Sequence, residues 1–159
     1  MLTDVRKLQR LDTWRIAQDL AYQAYLLTLS PQLSKHFALI DQIRRAALSV
    51  PANIAEGYSL GTTPQFLRGL KIALGSNTEL YSHLIVLARL DILPTDEVRP
   101  VIDLCDRVIA MIIGLIRKLS QRSARLLAHL ASRIPHLASR IPHPASRIPI
   151  MIRCPECVS

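Results

Sequence analysis

The sequence predicts an all-α fold, an antiparallel up-down four-helix bundle with an irregular C-terminal tail. Three observations predict it. Apolar residues recur every three or four positions through four long segments. The apolar half of the chain is mostly Leu, Ile and Ala, which suits helix, and only seven residues are aromatic. Five glycines are too few for a hairpin-rich sheet protein. Residues 1–122 form the predicted bundle and residues 123–159 a basic tail.

The first helix is expected from Asp12 to Leu29, with Asp12 or Thr13 as its cap. Trp14, Ala17, Ala21, Ala24, Tyr25 and Thr28 make its stripe, and Ser30-Pro31 ends it. The second runs from about Lys35 to Tyr58, on Leu39, Ile43, Ala47, Val50 and Ile54. Pro51 lies inside it and predicts a kink near Ala47 to Pro51, with two shorter helices meeting there as the alternative, because proline removes a backbone donor and crowds the preceding turn. Gly57 and Gly61 bracket its exit as candidate left-handed residues.

The third helix starts at Thr63-Pro64 and reaches Leu90. Phe66, Leu70, Ala73, Leu74, Asn77, Leu80, Tyr81, Leu84 and Ala88 face inward. Leu93-Pro94-Thr95 turns the chain. The fourth helix is capped by Thr95, carries Asp96 and Glu97 where acids suit the helix dipole, and reaches about Ala131. Its stripe is Val98, Ile102, Cys105, Ile109, Ile112, Ile116 and Leu119. Short connections make sequential helices antiparallel neighbours. Leu67, Leu74, Ile85, Val86 and Leu87 exceed what one core can hide, which predicts a homo-oligomer.

The net charge is +8, shared equally between residues 1–122 and the much shorter tail. Such an excess favours polyanions. In the tail His129-Leu-Ala-Ser-Arg-Ile-Pro135 recurs as His136–Pro142 and, with one change, as His143–Pro149. A proline in every unit excludes a coiled coil and predicts an extended, largely disordered arm. Two readings stay open: a phosphate-contacting arm through Arg133, Arg140 and Arg147, or a duplicated, dispensable extension.

Three cysteines, an odd count, and an N-terminus without an apolar signal segment predict a cytoplasmic protein. The longest apolar run, Val108–Ile116, is far short of the ~20 residues a membrane span needs. Cys154-Pro-Glu-Cys157 supplies two thiolates where a structural zinc needs four ligands. Glu79 and His83 are four apart rather than three and occur once, which excludes the di-iron pattern of some bundles. No nucleophile constellation or phosphate-cradling loop is found. The sequence therefore predicts no catalysis, no cofactor and no metal.

Polar residues fall on inner helices and need partners. Gln42, Arg45, Asn53, Glu56, Ser76 and Glu79 are expected to form a register-fixing network, with Arg45 paired to Glu79 or Glu56. Gly75-Ser76 is the expected point of close helix approach. Arg44 and Arg45 point about 100° apart, so one is structural and the other exposed.

Gln42-Ile-Arg-Arg-Ala-Ala-Leu-Ser-Val-Pro-Ala-Asn-Ile-Ala-Glu-Gly57 and Phe66-Leu-Arg-Gly-Leu-Lys-Ile-Ala-Leu-Gly-Ser76, followed by Glu79-Leu80, are distinctive. With Trp14 and its following alanines they resemble the 23S rRNA intervening-sequence protein family, over about residues 8–121. That family is similar to the accessory variability determinant proteins of diversity-generating retroelements. The resemblance implies a four-helix bundle, a homopentamer and a basic surface for RNA or DNA, which in the accessory proteins supports a reverse transcriptase. It implies no enzymatic activity. Gln42, Arg44, Arg45, Asn53, Glu56, Gly57, Gly75, Ser76 and Glu79 match as fold signatures. Arg6, Lys7, Arg10, Arg44, Arg68, Lys71, Arg117, Lys118 and Arg122, at helix ends or on polar faces, are the expected nucleic-acid contacts. A protein-interaction scaffold that binds no nucleic acid is the competing expectation.

Overall fold

The computed structural model describes residues 6–133, with side chains through Leu130, so the repeats after Arg133 and the Cys154/Cys157 pair lie outside the described residues. Four long helices follow one another: α1 (Asp12–Leu27), α2 (Phe37–Ser59), α3 (Thr63–Arg89) and α4 (Thr95–Arg133), with a 3-10 turn at Pro31–Leu33. No strand occurs among the described residues. The architecture is a helical bundle. One compact unit extends to Ser123 and a second begins at Ala124, helical through Arg133.

The helical periodicities converge on one core. Leu20, Ile43, Ile54, Leu70, Leu80, Leu84, Leu87 and Ile112 are fully buried. Each such side chain contributes about 1.5–3 kcal/mol relative to leaving it in water. Ala17, Ala21 and Ala24 give α1 a thin inner face, also buried. Leu87 belongs to the core rather than to the surplus surface, whereas Val86 is half-exposed. Ala88 faces outward, against expectation. It lies beside Arg89 and Leu90, where the last turn of α3 clears the core.

The local signals need small corrections. α1 is preceded by Leu11 with no side-chain cap, and Asp12 instead pairs with Arg15 at 3.3 Å. Thr62, not Thr63, precedes α3, and its hydroxyl bonds Gln65 at 2.7 Å. α2 runs as one helix through Pro51, which is buried. Gly61 takes φ +73° in the α2–α3 turn as its glycine allows, while the α3–α4 turn uses Asp91 at φ 52°.

Gly57 has a different task from a turn residue. It lies within α2, and a methyl built on it would meet the Cα of Gly69 at 3.0 Å. A methyl on Gly69 would lie 2.6 Å from the Asn53 carbonyl oxygen. The two backbones therefore touch at this crossing. Further along, the Ser49 and Ser76 hydroxyls bond at 2.9 Å. Falling numbers on α2 meet rising numbers on α3, so this pair is antiparallel. Gly75, the expected point of approach, has nothing within 4 Å.

Candidate nucleic-acid interface

The paired arginines of α2 exchange their expected roles. Arg44 Nε donates to Thr28 Oγ1 at 2.8 Å, and its guanidinium lies 4.6 Å from the centre of the Tyr25 ring. The Thr28 hydroxyl in turn donates to the Tyr25 carbonyl at 2.6 Å. A cation beside the closing carbonyls of α1 suits the helix dipole, and the aromatic face adds a cation–π contact. Arg44 is thus a clamp between α1 and α2 and is withdrawn from the expected phosphate contacts. Arg45 is exposed and pairs with Asp41 at 3.9 Å, not with Glu56 or Glu79.

The expected polar network is smaller than its six members. Gln42 and Glu56 are exposed. Glu79 faces His83 Nε2 at 3.7 Å on its own helix. What crosses between helices is centred on Ser49: its hydroxyl meets Ser76, and Asn53 Nδ2 donates to both the Ser49 carbonyl and hydroxyl at 2.8 and 2.9 Å. A second crossing is Asn77, fully buried, donating to the Cys105 carbonyl at 3.0 Å. Asn77 Oδ1 has no hydrogen-bond partner.

Arg6, Lys7, Arg10, Arg68, Lys71, Arg117, Lys118 and Arg122 are all exposed. Arg10 and Lys118 line one surface depression with Asp12 and Gly114, where the entry to α1 passes the later part of α4. Gly114 leaves open space there, with no atom within 4 Å of a built methyl. Lys7 lines another depression with Tyr58 and Phe66 at the α2–α3 turn. Arg68 shares a cleft with Asn53, Glu56 and Gln65 above the glycine crossing. Charge along the chain reinforces the pattern. No Asp or Glu stands between Asp106 and Glu156, a stretch holding nine Lys and Arg. Fixed positive charges without interleaved acids attract phosphates, and they release counterions on binding.

Other ionisable groups offer little chemistry. Cys105 is buried in α4, and burial, helped by the charge of Asp106, pushes its thiol up to about 12. A neutral thiol so placed is a core residue rather than a nucleophile. Among the described residues no three His, Cys, Asp or Glu side chains gather as a metal site. No described helix is long and apolar enough to cross a membrane.

The sequence missed Ser49, Gly69 and the Tyr58/Phe66 pair. The signal for Gly69 was present: counting equally outward from Thr63 brings residue 57 opposite residue 69.

The fold has a solved relative. The crystal structure of a protein of unknown function from the S23 ribosomal protein family of Bacteroides thetaiotaomicron VPI-5482 superposes with a TM-score of 0.56 at 19% identity, covering 66% of this chain and 98% of that chain. No curated protein matches the sequence significantly. The model of the 23S rRNA-intervening sequence protein family matches residues 9–114. That span holds all four helices up to Gly114, the Gly57/Gly69 crossing and the Arg44 clamp, and the chain belongs to the 23S rRNA-intervening sequence protein family.

Proposed function

We propose that the chain is a non-catalytic, homo-oligomeric nucleic-acid-binding accessory protein that grips phosphate through one basic end of the bundle. One observation carries the reading: Arg10 and Lys118, from opposite ends of the folded unit's sequence, line the same depression, whose one carboxylate, Asp12, is paired with Arg15. Up-down alternation of the four helices extends it. In that arrangement the entry to α1, the α2–α3 turn and the far part of α4 share one end. Arg6, Lys7, Arg10, Arg68, Lys71, Arg117, Lys118 and Arg122 then fall on or near it and outnumber its acids Asp12 and Glu56, while Asp91, Asp96 and Glu97 lie toward the other. The α2–α3 pairing and the shared Arg10/Lys118 wall both support that topology.

Association of copies is supported by apolar surface on the solvent side of the bundle. Tyr22, Leu26 and Leu29 recur at helical spacing outside the core, and Phe37 is 76% exposed. The resemblance to the accessory proteins makes a pentamer the proposed assembly and a reverse transcriptase the proposed beneficiary. The same apolar surface favours the second reading, a scaffold for a protein partner. Binding assays with structured RNA and duplex DNA separate the two. The nucleic-acid reading predicts a shifted complex that weakens steeply with salt. A partner retained after nuclease treatment, with no shift, supports the scaffold.

A further inference from the structure

The depression at the α2–α3 turn is built for more than charge. Its walls are Lys7, Tyr58, Ser59, Gly61, Thr62, Thr63 and Phe66, around a space of about 280 Å³. Tyr58 and Phe66 are half-buried and stand nearly perpendicular, with ring centres 5.5 Å apart and an 84° angle between planes. Two perpendicular rings form a corner. A flat ring stacked on one of them meets the other with its edge, the two arrangements aromatic groups prefer.

The rim of this corner is polar. The first turn of α3 opens beside it, and its early N–H groups, those of Thr63 and Gln65 because Pro64 has none, point outward and favour phosphate. Lys7 adds a cation to the wall and Thr63 a hydroxyl donor, while the Ser59 and Thr62 hydroxyls donate to the Glu56 carbonyl and to Gln65 Oε1. A planar apolar wall beside a phosphate-favouring rim matches one nucleotide whose base is not held in a duplex. The volume lies just under the range of about 300–1,000 Å³ usual for small-ligand pockets and is enough for one base.

We infer that the Tyr58/Phe66 corner is a stacking subsite for an unpaired nucleotide, so the protein prefers single-stranded or looped nucleic acid to continuous duplex. The inference rests on the nucleic-acid reading above and adds the class of substrate. Phosphate contacts alone would not distinguish strand from duplex, whereas an aromatic corner accepts only a base that has left its stack.

The test compares a fluorescent 20-nucleotide oligo-U RNA with a 20-base-pair RNA duplex, using the full chain at fixed low salt. The wild type is expected to bind the single strand more tightly. Tyr58→Leu/Phe66→Leu is expected to lose about tenfold or more on the single strand, in line with the stacking of one base, and to keep its duplex affinity. Equal losses on both, or none on either, overturn the subsite while leaving phosphate binding intact. Absence of binding to both by the wild type overturns the nucleic-acid reading itself and the subsite with it. Because the double variant removes core-edge aromatics, the unaltered protein is also cross-linked to 4-thiouridine-containing RNA. Adducts on Tyr58 or Phe66 peptides support the subsite, and adducts confined to other peptides contradict it.

Discussion

Gly57 and Gly69 meet backbone to backbone where α2 crosses α3, and neither has room for a methyl group. Gly69→Ala would drive its Cβ to 2.6 Å from the Asn53 carbonyl oxygen, with only main chain to give way. Overpacking of this kind costs about 1–3 kcal/mol, even after the helix-propensity gain of alanine. Gly75 lies on the same helix with open space around it, so Gly75→Ala is expected to stabilise the isolated bundle by about 0.5–1 kcal/mol. Urea unfolding of the two variants should shift midpoints in opposite directions.

The Arg44 clamp predicts a contrast between neighbours. Arg44→Ala removes a hydrogen bond to Thr28 and a stack on Tyr25, and about 1–2 kcal/mol of stability should go with them. Arg45→Ala breaks only an exposed pair with Asp41, worth at most about 0.5 kcal/mol. Thermal melts of the two variants measure the difference, and Arg44→Ala should leave nucleic-acid affinity unaltered once folded.

These contrasts show what was legible in the sequence. Helix number, the Gly61 turn and the inward stripes through Ile43, Leu70 and Ile112 follow from periodicity, which is a local property. The assignment of Arg44 and Arg45 does not. The two residues differ by one step of about 100° around α2, and which one is engaged depends on where α1 ends. Thr28, sixteen residues earlier, supplies that information only after the helices have packed. The glycines divide the same way. Gly57, Gly69 and Gly75 all sit inside helices, and only the crossing point separates those that need no side chain from the one that merely lacks it. The basic residues were legible as types; the meeting of Arg10 and Lys118 at one depression was not, because the two are far apart in the chain.

Cys105 makes the fold sensitive to alkaline pH. Its folded pKa of about 12 lies above the ordinary 9.0, through burial first and Asp106 second. The unfolded chain therefore ionises this thiol earlier than the folded chain does. Its contribution is fully present below about pH 9 and is lost as pH rises toward about 12. In a Cys154→Ser/Cys157→Ser background, Cys105 should resist a thiol-specific reagent at pH 8 in native buffer and react promptly in denaturant. Prompt reaction of the native protein would show that its burial is transient.

The orphaned acceptor of Asn77 predicts an unusual tolerance. Asn77→Leu removes a bond to the Cys105 carbonyl but also an unpaired buried Oδ1, whose burial costs about 1–3 kcal/mol. The substitution should be near neutral in stability. Asn77→Asp should be strongly destabilising near pH 7, because a buried carboxylate has no partner there, and should recover as acid neutralises it. Its folded pKa is raised, so stability rises as pH falls through that value. Denaturant midpoints at pH 5 and pH 7.5 read the effect.

Phosphate binding by this chain depends on the basic end of the bundle. Its most direct test is the affinity of the full chain for a structured RNA between 50 and ~300 mM salt, beside an Arg10→Glu/Lys118→Glu variant that folds normally. The proposed phosphate grip predicts a linear fall of log affinity with log salt, and for the variant both weaker binding and a shallower slope. Affinity indifferent to salt, or unchanged by reversing these two charges, would contradict it.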